Sequence, residues 1–178
     1  RPATKYQVEI IEDSTSTLKC WQDGSWVIID TLSHQTTLFD EIGCRIEYPK
    51  ITMTDFNNDG YQDILCYLTT NVNGNLWGKL FLYNAAIRHV ELIPSAEDDG
   101  IWAAPEFNPK KHSIESFQLS GVYGLSYTSR YKLVGNTAQP LRKTEEDNTG
   151  VGMNGHGGVK RIYRGDNGKW KLVKAYDR

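Results

Sequence analysis

Short runs of Val, Ile, Tyr, Thr, Phe and Trp recur along this chain, each cut off by Gly, Asn or Asp. No long window keeps the 3.6-residue period of an amphipathic helix. Branched and aromatic side chains suit a pleated, half-buried surface, so the chain must build from strands joined by tight turns. The pattern predicts strands near Lys5–Ile11, Ser16–Trp21, Ser25–Asp30, Thr36–Phe39, Glu47–Thr52, Asp63–Thr69, Leu76–Tyr83, His89–Ile93, Ser113–Leu119, Gly124–Val134, Lys160–Arg164 and Trp170–Ala175. Asp23-Gly24, Asn73-Gly74, Gly135-Asn136 and Asn167-Gly168 fall between them. Such pairs suit hairpin turns, whose central residues need positive φ. At most a helical turn is expected at Ala85–Arg88 or Ser95–Asp99.

The expected class is therefore all-β, mainly antiparallel, as a β-sandwich or propeller-like sheets with a calcium-binding loop joining two strands. Leu80 and Leu82 alternate with Phe81 and Tyr83, so both faces of that strand are apolar. Such a strand is covered on both sides. Two segments break the rhythm. Pro105–Lys111 reads as a Pro-bounded loop, and Thr144–Gly158 (TEEDNTGVGMNGHGG) as a glycine-rich one with little to pack, mobile or ordered by a partner.

At 178 residues the chain is long enough for one domain spanning 1–178 with its own core. It carries 20 Lys and Arg against 22 Asp and Glu, a net charge of −2. That balance argues against nucleic acid or an anionic membrane as the main partner. No apolar run approaches the ~18 residues of a membrane span. The first residues, Arg1-Pro2-Ala3, lack a Met start, and the sequence leaves both a removed signal peptide and an upstream lipid anchor open. Cys20, Cys44 and Cys66 permit one bridge at most, and their spacing does not choose it.

The sharpest local pattern is Asp55-Phe56-Asn57-Asn58-Asp59-Gly60-Tyr61-Gln62-Asp63. Side-chain oxygens fall at the first, third, fifth and ninth positions, and Gly at the sixth permits a sharp bend. Asp55, Asn57, Asp59 and Asp63, with the carbonyl of Tyr61, are the expected ligands of a calcium ion, which would relieve the repulsion among three carboxylates. Cys66 stands where an EF-hand places its closing Glu, and Ile64–Leu68 continues as a strand. The expected role of the ion is structural.

Nothing resembles a catalytic constellation. His34, His89, His112 and His156 form no metal-ligand spacing, and there is no G-x-S-x-G. His34 and His112 fall in polar turns and are read as solvated. The acidic runs Glu97–Asp99 and Glu145–Asp147 read as solvated faces, so the chain is expected not to be an enzyme.

The segment Thr54–Leu68 (TDFNNDGYQDILCYL), then Leu80–Asn84 (LFLYN), then Pro105–Phe117 (PEFNPKKHSIESF), resembles a bacterial family of periplasmic proteins related to i-type lysozyme inhibitors. The likeness runs over an inhibitor-like core of about residues 45–135. It implies a periplasmic protein that neutralises a lysozyme-like, peptidoglycan-degrading hydrolase, in some members as immunity against a secretion-system effector. Ser120-Gly121-Val122-Tyr123 is similar to the S-G-x-Y motif of lysozyme inhibitors. The resemblance implies that Ser120 and Tyr123 enter the hydrolase cleft on a tip that Gly121 allows to turn. A hydroxyl and a phenol suit a groove built for sugar and flanked by carboxylates.

The glycine-rich stretch is the rival insertion element. Glu145, Glu146 and Asp147 would meet a basic hydrolase and speed association, and Met153, Asn154 and His156 would then occupy the cleft. The expected function is occlusion of a cognate peptidoglycan-hydrolase effector. The alternative is a calcium-stabilised carbohydrate-binding or adhesion module, with Trp21, Trp26, Trp77, Trp102 and Trp170 as possible sugar platforms.

Overall fold

The computed structural model describes residues 5–12, 14–22, 24–34, 38–39, 45–46, 49–71, 73–97, 100–120, 124–148 and 158–177. Among them every regular element is a strand, and every pairing is antiparallel. The first sheet is the meander β1 (Tyr6–Glu12), β2 (Thr15–Gln22) and β3 (Ser25–Ser33). A two-residue pair, β4 (Leu38–Phe39) and β5 (Arg45–Ile46), follows it. The second sheet contains β6 (Lys50–Thr54), β7 (Asp63–Thr70), β8 (Leu76–Asn84), β9 (His89–Ile93) and β10 (Trp102–Ala103), in the order β10-β8-β7-β6 with β9 also on β8. The third is a six-stranded meander: β11 (Glu106–Asn108), β12 (Ser113–Ser120), β13 (Leu125–Val134), β14 (Thr137–Asp147), β15 (Val159–Asp166) and β16 (Lys169–Asp177).

The period of two along β7 and β8 stacks the sheets. Ile64, Cys66, Leu68 and Phe81 pack with Leu18 and Leu32 of the first sheet. Leu65, Leu80 and Leu82, on the other parity, pack with Trp102, Ile114, Tyr131 and Leu133, the last three from the third sheet. The middle sheet is thus apolar on both faces, as Leu80–Tyr83 indicated. Trp102 fixes the larger core: it is fully buried, meets Tyr131 edge-on at 4.6 Å and donates its indole N–H to the Ile93 carbonyl at 2.6 Å.

All twelve expected strands overlap strands of the structure. Asn167 (φ 49°) and Gly168 (φ 77°) make the β15–β16 turn with both central residues left-handed, as a two-residue hairpin requires. Gly78 has a different reason to be glycine. A Cβ there would lie 2.2 Å from the Cys66 carbonyl oxygen, beside the irregular register between Tyr67 and Thr69. Gly78→Ala is expected to cost ~1–3 kcal/mol by forcing β7 and β8 apart. Differential scanning calorimetry should show a fall of about 3–10 °C, and an unchanged melt would contradict this register.

Three expectations are corrected. Residues 144–147 are not the head of a loop: they end β14, paired on both sides with β13 and β15. β14 admits Pro140 because the proline sits beside a bulge at Leu141, where a missing N–H is tolerated. Within Pro105–Lys111, residues Glu106–Asn108 form β11 against β12. His34 is buried rather than solvated, with Nε2 2.8 Å from the buried Ser16 hydroxyl.

Candidate functional site

The Asp55–Asp63 segment connects β6 to β7 and folds on its own side chains. The Asp55 carboxylate accepts the N–H groups of Asp59 (3.0 Å) and Gly60 (2.8 Å), Asn57 Oδ1 accepts that of Asp59 (3.1 Å), and Asp59 accepts that of Tyr61 (2.9 Å). Asn58 (φ 59°) and Gly60 (φ 87°) take the left-handed bends. Asp63 is fully buried and accepts the Phe56 N–H at 2.9 Å and the Tyr83 N–H at 2.8 Å, tying the loop to β8. Burial pushes its carboxyl up to about 6, against backbone hydrogen bonds at Tyr83, Phe56 and Asn57, and the nearby Asp59 charge adds to the rise.

The donor set is all hard oxygen, and a carboxylate oxygen that accepts one amide keeps a lone pair for a cation. Among the described residues no three His, Cys, Asp or Glu side chains cluster closely enough to hold a metal ion. Phe56 turns inward and meets Phe107 of β11 at 6.1 Å, so the D-x-N-x-D-G loop and the P-E-F-N-P phrase pack directly on one another.

The other end of β7 lies about 23 Å away, at ~3.3 Å per residue. Ser120 closes β12 there and pairs with Leu125 of β13. The residue before it is clamped. Asn75 donates to the Leu119 carbonyl at 2.5 Å and accepts the Leu119 N–H at 2.9 Å, and Asn73 donates to the same carbonyl at 3.4 Å. Asn71 holds this turn in shape by accepting the backbone N–H groups of Asn73 and Asn75 and the Asn75 amide. The buried Asn75 thus transmits the rigidity of the β7–β8 hairpin to the base of the β12–β13 turn.

The same end of the six-stranded sheet also receives the glycine-rich stretch. The Gly124 carbonyl accepts both the backbone and the side-chain N–H of Asn148. The row Ser120, Leu125, Asp147, Val159 runs directly across four strands. Ser120 and Gly124 flank the turn expected to enter a cleft, and Asn148 and Gly158 flank the rival segment. Sequence reasoning separated these elements, and the ladder brings their bases together. Gly121 and Tyr123, like Met153, Asn154 and His156, lie outside the described residues.

The acidic run is engaged inside the sheet. Glu145 accepts from Arg161 and from the Tyr163 hydroxyl (2.9 Å), and Glu146 pairs with Lys160 at 2.5 Å. The Glu145 carboxylate in turn pushes the Arg161 guanidinium pKa up. Cys20 and Cys66 are free, buried thiols, with Cys66 pushed up to about 12 by burial. Such thiols are inert nucleophiles. Trp102 is core and Trp170 packs against it, whereas Trp21 and Trp26 form an edge-on pair at 5.3 Å, each about two-fifths exposed. The Asn71/Asn75 clamp was missed in the sequence, although the N-x-N-G-N string was its available signal.

Neither a protein-family model nor a curated protein sequence matches the chain. Among solved structures it is similar to one described as "Structure of a Xanthomonas Type IV Secretion System related protein". The similarity covers 94% of this chain and 85% of that one, with TM-score 0.54 and 19% identity. At that identity the likeness carries the fold alone.

Proposed function

We propose that this chain is a periplasmic immunity protein that binds a peptidoglycan-degrading, muramidase-like effector and occludes its cleft. The observation that carries the reading is the shared base of the two candidate insertion segments, one end of it clamped by Asn75. A segment held at its base loses less entropy on binding, which an inhibitor needs. The likeness to a secretion-system-related protein fits an immunity role. The engaged state of Glu145 and Glu146 shifts the expected contact from the acidic run to the tip around Ser120 and to residues 149–157. The immobilised chain should retain a peptidoglycan hydrolase from the secreted proteins of an attacking bacterium. Retention on polysaccharide with no protein bound would instead favour the carbohydrate-binding alternative, for which Trp21 and Trp26 offer the exposed rings.

Calcium belongs to the same proposal as a scaffold ion that would have to draw Asp55, Asn57, Asp59, Asp63 and the Tyr61 carbonyl together, since their carboxylates are not gathered around one point among the described residues. With calcium at about 100 times its dissociation constant, binding adds ~2.7 kcal/mol to stability. Thermal melts in millimolar calcium should therefore exceed those in chelator by about 5–10 °C. The difference should vanish in Asp55→Ala/Asp59→Ala. Equal melts in calcium and chelator for the parent chain would remove the ion from the account.

A further inference from the structure

The net charge of −2 conceals a separation. Residues 100–178 carry 13 Lys and Arg against 7 Asp and Glu, whereas residues 1–99 carry 7 against 15. The six-stranded sheet comes wholly from the basic part. Its register sets Arg130 opposite Arg142, Arg142 opposite Arg164 and Arg164 opposite Lys171. Directly opposed residues share one face, and like charges so placed repel. Arg130 alone of the four pairs with an acid, Glu115 at 2.8 Å. Arg142, Arg164 and Lys171 are exposed and form no ion pair among the described residues. By contrast, Lys19, Lys79, Lys143 and Lys160 are each paired with a carboxylate.

Two bulges add apolar side chains to this face. Leu141 is the unpaired extra residue of β14 and Val173 that of β16, 43% and 55% exposed. With Ile162 they line a shallow depression bordered by Arg142, Arg164 and Lys174. Bulges re-aim side chains, and these turn aliphatic groups out between cations.

We propose that this face docks on an anionic phospholipid surface, with the Arg142–Arg164–Lys171 row on the headgroup phosphates and Leu141 and Val173 entering the boundary below them. A leaflet accepts dispersed cations together with a few apolar side chains. The inference goes beyond the inhibitor reading and does not depend on it, since the tip at Ser120 lies at the end of the sheet rather than on this face.

The test is co-sedimentation of the full chain with vesicles of phosphatidylglycerol and phosphatidylcholine in equal parts, against phosphatidylcholine alone. Binding is expected only to the anionic vesicles and should fall as salt rises. Each cation near an anionic leaflet contributes roughly fivefold, so Arg142→Glu/Arg164→Glu should lower partitioning by ~100-fold or more. Arg142→Gln/Arg164→Gln, which retains strand-compatible neutral side chains, should lower it by about 25-fold. Failure of the parent chain to bind anionic vesicles at low salt would overturn the proposal. So would equal binding to phosphatidylcholine, or undiminished binding by the folded Gln variant. Muramidase inhibition should survive in the Gln variant. If inhibition is lost while vesicle binding persists, the face belongs to a protein partner: this proposal falls and the inhibitor reading stands.

Discussion

Replacing Trp102 by Ala is expected to lower the melting temperature by about 10–15 °C. Its side chain is fully buried where the second and third sheets meet, edge-on to Tyr131, with its N–H on the Ile93 carbonyl. Truncating a large aromatic in such a site costs ~3–5 kcal/mol, and a domain of this length loses about 2–4 °C per kcal/mol. Tyr131 and Leu133 pack in the same cluster, so the substitution also loosens the sheet that presents the candidate tip. A calorimetric shift below ~3 °C would mean that the two sheets do not share this interior.

The second large effect concerns binding. Ser120→Ala/Tyr123→Ala should weaken inhibition by roughly 30- to 700-fold while leaving the melt unchanged, because central anchors of a tight interface are worth ~2–4 kcal/mol together. Asn75→Ala should weaken it about tenfold from a distance. That substitution removes both hydrogen bonds to Leu119 without altering the proposed contact residues, and a looser tip orders at greater cost on binding. Titration calorimetry against the captured hydrolase separates the two. Inhibition that survives the Ser120/Tyr123 change but is abolished by deleting residues 149–157 would move the contact to the glycine-rich segment.

The legible parts of this fold are those written locally. Leu80–Tyr83 shows both parities of a central strand in four adjacent residues, and Asn167-Gly168 carries the φ requirement of its own turn. β14 was hidden because its evidence is not local. Pro140 donates nothing to a ladder and fits only beside the bulge at Leu141, and Glu145 and Glu146 read as solvated until Arg161 and Lys160 arrive across the ladder. The candidate site was half legible. Its loop and tip residues could be named, yet the clamp from Asn75 spans 44 residues of sequence, and only the folded register shows that the two insertion segments share a base. Charge behaved similarly, since Arg130, Arg142, Arg164 and Lys171 become one row only across β13 to β16.

Release of soluble fragments from labelled peptidoglycan by the retained hydrolase, titrated with this protein, asks the functional question without intermediaries. Release is expected to stop near one equivalent of protein and to resume when the Ser120/Tyr123 variant replaces it. Release that continues at the uninhibited rate with the parent protein in excess would contradict the proposed occlusion.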